Sequence, residues 1–78
     1  MTVKAFLLLK LRSSPASEIK RSFKEFKEIK KISIVTGETD AIVEVAVENI
    51  ESLFELVKEV RRLDVVLDSQ TSIVIQEI

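Results

Sequence analysis

The centre of the chain alternates apolar and polar residues on both sides of a short polar segment. Before that segment Ser33 separates two isoleucines, and after it a longer alternating run covers residues 41–47. A period of two places successive side chains on opposite faces of a β-strand. Between the two runs lie Gly37, the only glycine of the chain, and Asp40, and both residue types favour turns. The pattern predicts a β-hairpin.

The chain before the hairpin predicts a strand followed by a helix. Residues 3–11 alternate, and their centre is apolar on both faces. We expect Ser14 to cap a helix that has Pro15 at its first position. The apolar stripe of this helix recurs at spacings of three and four and comprises Ile19, Phe23, Phe26 and Ile29. The helix is predicted to end at Lys30 and Lys31, where positive charge suits the helix dipole.

The chain after the hairpin repeats that order. Asn49 is expected to cap a second helix, whose apolar stripe comprises Ile50, Leu53, Phe54, Val57 and Val60. The chain is rich in β-formers from Val65 to its end, with a bulge or bend predicted at residues 68–70. The order βαββαβ predicts an α+β, ferredoxin-like fold in one domain, residues 1–78, with a four-stranded antiparallel sheet and both helices on one face.

The predicted sheet is apolar on its second face as well. The residues expected to face the helices are Val3, Ala5, Leu7, Leu9, Leu11, Ile32, Ile34, Val43 and Val45, and those expected to face away are Phe6, Leu8, Val35, Ile42, Ala46 and Val74. A contiguous exposed apolar patch marks an interface, and a small domain gains stability when the patch is covered. We therefore expect a homodimer through Phe6, Leu8, Val35, Ile42 and Val74. The alternative is that these are ordinary scattered aliphatic side chains on a surface.

Composition narrows the class of protein. The 78 residues are 46% hydrophobic and 32% charged, and they include no cysteine and no histidine. Disulfides, thiolate metal sites and a histidine general base are therefore excluded. No apolar run approaches the roughly 18 residues of a membrane span, so we expect a cytoplasmic protein without a membrane partner. Residues 1–39 carry nine cations and four carboxylates, a net charge of +5, whereas residues 40–78 carry three and nine, a net charge of −6.

Catalytic and nucleic-acid-binding candidates are weak. No serine has a histidine partner, the carboxylates are isolated in sequence, and the basic residues of the first helix alternate with glutamates. RNA-binding relatives of this fold need exposed stacking aromatics, and only Phe6 is available. Glu44, in the middle of a strand on the second face, is expected to pair with Lys4 or Lys10 across strands or across a dimer. We predict no enzyme activity, no cofactor and no metal; the Gly37–Asp40 turn is either a ligand site or only a turn.

Two segments carry a family resemblance. Residues 35–45, VTGETDAIVEV, are similar to a V-T-G-x-x-D motif followed by an apolar strand, and residues 65–75, VVLDSQTSIVI, are similar to a closing G-V-x-x-T-x-T-x-I-V strand. In this order on a βαββαβ frame they resemble the effector-binding (RAM) domain of the Lrp/AsnC transcription regulators. Val65 replaces the glycine and Ser69 the first threonine of the second motif. The chain begins at the first strand of that domain and resembles the stand-alone members that lack a helix-turn-helix domain.

The resemblance implies a sheet-to-sheet dimer of the dimeric α+β barrel type, and rings of dimers. It also implies a small effector, usually an amino acid, bound between dimers near the turn, by Thr36, Gly37, Glu38, Thr39, Asp40 and Thr71. Backbone N–H groups of the turn would bind the carboxylate and Asp40 the ammonium group.

The resemblance further implies a role in transcription regulation or amino-acid metabolism, with full-length regulators as partners. Both helices commit one face to the core, so we expect no direct DNA binding. The alternative function is a structural or enzymatic domain of the dimeric α+β barrel type, or an ACT-like amino-acid-binding module.

Overall fold

The computed structural model describes residues 2–78 and has the element order βαββαβ. Its elements are β1 (Val3–Leu11), α1 (Ala16–Phe23), β2 (Ile29–Ile34), β3 (Ala41–Val47), α2 (Ile50–Arg61) and β4 (Val66–Ile73). The strands form one sheet in the order β2-β3-β1-β4, and every neighbouring pair is antiparallel. The predicted ferredoxin-like fold and its central hairpin are confirmed.

One face of the sheet and the two helices enclose the core. Alternate residues of β1 and β3 are buried, as the alternation predicted, together with residues of both helices. The buried strand residues are Ala5, Leu7, Leu9, Ala41, Val43, Val45 and Val47, and the buried helix residues are Ile19, Phe23, Leu53, Leu56 and Val60. Leu7 and Val43 lie opposite each other in the β1–β3 register and are both fully buried. The opposite face, called the outer face below, carries the remaining residues of each strand.

The first helix is shorter than predicted. It ends at Phe23, and turns bonded i to i+3 carry the chain through Phe26 to Ile29, where β2 begins. Phe26 and Ile29 still pack against the core, but from a turn and a strand. Their spacing fits a helix equally well, and the pairing of Ile29 with Val45 of β3 decides against it. The prediction that Lys30 and Lys31 close the helix was wrong, because both lie in β2.

The predicted start of α1 was wrong both for the cap Ser14 and for Pro15 as the first helical residue, whereas the predicted cap of α2 was correct. Ser14 does not cap α1: the N-cap is Pro15, whose carbonyl accepts from Glu18 and Ile19, and the buried Ser14 hydroxyl has no partner within residues 2–78. Asn49 caps α2 as predicted, because its Oδ1 accepts from the Ser52 N–H at 2.8 Å. This bond satisfies one of the donors that a helix N-terminus leaves free.

The inner face of α2 differs from the predicted stripe. Leu53, Leu56 and Val60 are buried, whereas Phe54 is 55% exposed and Ile50 is exposed. The buried residues follow spacings of three and four from Leu53 onward, and Leu56 was missing from the prediction. Phe54 therefore lies on the solvent-facing flank of the helix.

The two edge strands deviate near their ends. Ile34 of β2 lies on the predicted side of the sheet, opposite Ala41, but it is 61% exposed. In β4 the register shifts where Lys10 faces Asp68 and Leu11 faces Val66, so Leu67 is the extra residue of a bulge. The bulge therefore lies at Leu67, just before the predicted position, and residues 68–70 belong to the strand.

Candidate functional site

The β2–β3 turn is held against β1 by three hydrogen bonds. The Asp40 N–H donates to the Leu9 carbonyl at 2.9 Å, the Leu11 N–H donates to Asp40 Oδ2 at 2.8 Å, and Lys10 Nζ donates to the Glu38 carbonyl at 3.0 Å. The turn is closed within itself by the Val35 N–H, which donates to the Asp40 carbonyl at 2.9 Å. The turn is therefore fixed to the carboxyl end of β1.

Gly37 has the backbone freedom that the turn requires. Its φ is +109°, a region that residues with a Cβ rarely adopt. Among the described residues, Gly37 alone has a positive φ. A Cβ at this position would meet no heavy atom within 4 Å. The requirement for glycine at position 37 comes from the backbone alone, and the space beside it is open.

The Asp40 side chain has a structural role. Its carboxylate extends the β1–β3 ladder by one bond, because it accepts from the Leu11 N–H at the point where the backbone partners of β3 have ended. A carboxylate bond to a backbone N–H is stronger than a bond between neutral groups. One oxygen of the carboxylate that was predicted to meet an ammonium group is thus already occupied.

A cavity of about 250 Å³ opens beside the turn, at the edge of the outer face. Its lining residues are Leu8, Leu9, Lys10, Glu38, Thr39, Asp68 and Gln70. The cavity brings together one cation, two carboxylates, an amide and a hydroxyl, with the apolar side chain of Leu8 beside them. Such a set provides partners for both charges of a small zwitterion.

The cavity includes only some of the predicted ligand residues. Glu38 and Thr39 line it; Thr36, Gly37 and Asp40 belong to the same turn but do not line it. Thr71 lies opposite the buried Leu7, so it is on the helix side of β4 and away from this cavity.

Three lining residues were not among the predicted ligand residues: Lys10, Asp68 and Gln70. A signal for Lys10 was present, because it shares the strand face of Leu8 and follows it by two residues. The positions of Asp68 and Gln70 depend on the β1–β4 register, and the sequence does not define that register.

The outer face has an apolar centre. Ile42, Leu8 and Gln70 lie side by side across β3, β1 and β4, and the next row contains Glu44, Phe6 and Ser72. The predicted interface residues Leu8, Val35, Ile42 and Val74 are half-buried, and Phe6 is 37% exposed. Within residues 2–78 neither helix packs on this face, because the buried residues of both helices join the core on the other one.

A second, larger cavity of about 630 Å³ covers the opposite end of the outer face. Its lining includes Lys4, Phe6, Lys30, Glu44, Val74 and Gln76. Neither of the predicted partners of Glu44 reaches it within the chain: Lys4 binds Glu77 at 3.0 Å, and Lys10 binds the Glu38 carbonyl. Glu44 is half-buried and has no ion pair within the described residues, so the pairing predicted across strands does not form.

A metal-binding cluster and a helix able to span a membrane are both absent from residues 2–78. No group of three or more aspartate, glutamate, histidine or cysteine side chains is arranged to hold a metal ion there. In the same residues, neither helix has the length and apolar composition that crossing a membrane requires.

Comparison with family models gives one match, to the Lrp/AsnC ligand binding domain, over residues 4–78. The chain belongs to the Lrp/AsnC family. Both Lrp/AsnC motifs can now be placed: residues 35–45 are the turn and β3, and residues 65–75 are β4 with its flanks. Val65, which stands at the glycine of the second motif, is buried and accepts from the Arg12 N–H at 2.8 Å without a positive φ. The substitution is therefore compatible with this turn.

Comparison with functionally curated proteins gives no significant match. Among solved structures, FFRP-DM1 is 27% identical with a TM-score of 0.85, and the match covers 94% of this chain and 99% of that one. Hypothetical protein PHS023 from Pyrococcus horikoshii is 28% identical with a TM-score of 0.83, covering 96% and 92% of the two chains.

The fold also matches the transcriptional regulator NMB0573 from Neisseria meningitidis, solved in complex with L-methionine. The identity is 23%, the TM-score is 0.86, and the match covers 97% of this chain and 51% of the regulator. This Lrp/AsnC chain thus spans about half the length of the Neisseria regulator, and nearly the full length of the other two proteins.

Proposed function

We propose that this chain is an effector-binding module that binds a small molecule, an amino acid, and acts through its own assembly. The observation that carries the proposal is the cavity beside the Gly37 turn, which presents both signs of charge in a domain of a ligand-binding family. In this proposal the module modulates transcription regulation or amino-acid metabolism in the cytoplasm. It catalyses no reaction and uses no cofactor.

The outer face of the sheet supports assembly. Phe6, Leu8, Ile42 and Val74 form an apolar centre that the helices of the same chain leave open. A second copy offers a matching apolar face, and a two-fold axis between the two sheets pairs each patch with its equivalent. Glu44 supports the same arrangement, because this half-buried carboxylate forms no ion pair with another residue among 2–78 and is available to a cation across an interface. We propose a sheet-to-sheet dimer, further assembly of dimers, and joining with full-length regulators.

The cavity beside the turn and one protein similar to this chain both support an amino-acid effector. The cavity volume of about 250 Å³ lies below the range of 300–1,000 Å³ typical of drug-sized ligands, so a single amino acid is the suitable size class. The regulator from Neisseria meningitidis is described as a complex with L-methionine, which supports an amino-acid effector here. We propose that the effector lies in this cavity, against Glu38 and Thr39 of the turn. The parts assigned to Thr36, Gly37, Asp40 and Thr71 stay predictions from the family resemblance.

Assembly is tested by two charge insertions at exposed phenylalanines on opposite sides of the molecule. Phe6→Glu places a charge in the proposed interface, whereas Phe54→Glu places the same charge on the exposed flank of α2. Light scattering at micromolar concentration should show a dimer or larger species for the wild type and for Phe54→Glu, and a smaller species for Phe6→Glu. Ser72→Arg, which lies beside Phe6 at an exposed position, repeats the test if Phe6→Glu does not fold. A monomeric wild type would refute the proposed assembly.

Effector binding is tested by thermal melting with each of the twenty amino acids. A ligand at about 100 times its dissociation constant stabilises the folded state by roughly 2.7 kcal/mol, which raises the Tm of a domain of this size by roughly 10–20 °C. At least one amino acid should produce such a shift. If no amino acid shifts the transition, the amino-acid effector is excluded.

Direct DNA binding is a separate question. The pure chain should not retard duplex DNA at physiological salt.

A further inference from the structure

Lys10 and Asp68 lie opposite each other in the β1–β4 register, yet they do not form an ion pair. Opposite charges at directly facing positions stabilise a sheet when they pair across strands. Here Lys10 Nζ turns to the Glu38 carbonyl at 3.0 Å, and the Asp68 carboxylate has no hydrogen bond or ion pair among the residues that the structure describes. The cavity of about 250 Å³ lies between them, with both side chains in its lining.

We propose that Lys10 and Asp68 are the two charged groups that bind the zwitterionic head of a free α-amino acid. The inference rests on the proposed function and assigns the binding groups within it. Lys10 donates to the carboxylate of the ligand, and Asp68 accepts from its ammonium group, in charge-assisted hydrogen bonds. Leu8 provides apolar surface for the ligand side chain, and Gln70 provides an amide that both donates and accepts.

Asp40 is the other carboxylate near the turn, and its geometry assigns it to a different role. Its Oδ2 accepts from the Leu11 N–H at 2.8 Å, and Asp40 does not line the cavity, whereas Asp68 does. Asp68 has no such commitment. The bond from Lys10 to the Glu38 carbonyl is exposed, so water can replace it, and the two bonds of Asp40 still hold the turn against β1.

The position of this pair links the ligand to the outer face. Lys10 and Asp68 form the row of side chains directly beyond Leu8 and Gln70, and Leu8 belongs to the apolar centre of that face. A second copy that covers Leu8 also narrows the open side of the cavity and lowers the effective dielectric around both charges, which strengthens their bonds to a ligand. The chemical class that fits is an α-amino acid with both head groups free.

The test compares Lys10→Met and Asp68→Asn with the wild type and with Asp64→Asn. Asp64 is an exposed aspartate that pairs with Arg12 at 2.9 Å, so its substitution makes the same charge change outside the cavity. The probes are the amino acid that stabilises the wild type most in the melting screen, its amide, and its analogue without the amino group. Affinities are measured by titration calorimetry, and circular dichroism checks that each variant folds.

Each charge variant should weaken binding of the intact amino acid by about tenfold or more, the effect of one charge-assisted hydrogen bond. Asp68→Asn should no longer distinguish the amino acid from its desamino analogue, and Lys10→Met should no longer distinguish it from its amide. Asp64→Asn should bind like the wild type. Equal affinities in wild type, Lys10→Met and Asp68→Asn would overturn the assignment and leave the proposed function intact. If no amino acid binds the wild type, the proposed function and the assignment both fail.

Discussion

Asp40→Ala tests whether the bond between the turn and β1 stabilises the fold. The substitution removes the acceptor of the Leu11 N–H and leaves the two backbone bonds of residue 40 in place. A hydrogen bond to a charged group contributes about 1.5–3 kcal/mol. Because Asp40 is half-buried, water compensates for part of the loss, and we expect the lower end, about 1.5–2 kcal/mol. For a domain of this size that lowers the Tm by roughly 6–16 °C.

The assay is urea unfolding followed by circular dichroism at one fixed protein concentration, since the stability of an oligomer depends on concentration. Glu38→Ala is the matched control, because Glu38 lies in the same turn and, among residues 2–78, only its backbone carbonyl forms a hydrogen bond. That variant should stay within about 0.5 kcal/mol of the wild type. Hydrogen exchange adds a local measurement: the Leu11 amide should lose protection in Asp40→Ala and keep it in Glu38→Ala. If the two variants unfold at the same urea concentration, the stabilising role of the Asp40 carboxylate is refuted.

Four further substitutions test three individual structural features. Gly37→Ala should destabilise the chain by about 1 kcal/mol or more in the same urea assay, because φ is +109° although the space for a Cβ is free; an unchanged midpoint would contradict this. Leu56→Ala should cost about 2–5 kcal/mol and Phe54→Ala much less, since only Leu56 is buried; the reverse order would favour the stripe predicted from the sequence. Asn49→Ala should cost about 1 kcal/mol through loss of the cap to the Ser52 N–H, and no loss would contradict that role.

The fold was predictable because its main signals are local. The alternation of β1 and β3, the turn residue Gly37 and the cap Asn49 each act within a few residues of their own position. The end of α1 was not predictable in this way. Phe26 and Ile29 reach the core either from a helix or from a turn followed by a strand, and pairing with β3 selects the second arrangement.

The candidate site was less predictable than the fold because its contacts are long-range. Asp40 was recognised as a turn residue, but its carboxylate bonds to Leu11, which is 29 positions away in sequence. The approach of Asp68 to Lys10 depends on the β1–β4 register and on the bulge at Leu67, which sets the face that Asp68 occupies. The sequence predicted a bulge at residues 68–70, just after its position in the structure, but it does not define the register, and a slip of one residue would move Asp68 to the helix side.

The site and the outer face are connected through three consecutive residues of β1. Leu8 lies in the outer face, Leu9 in the core, and Lys10 at the cavity, so a shift of this segment affects all three regions. If assembly raises the affinity for the effector by some factor, the effector must favour assembly by the same factor. Effector titrations at protein concentrations below and above the assembly threshold should therefore give different apparent affinities. Equal affinities on both sides of that threshold would mean that the site and the interface act independently, and that the effector does not control assembly.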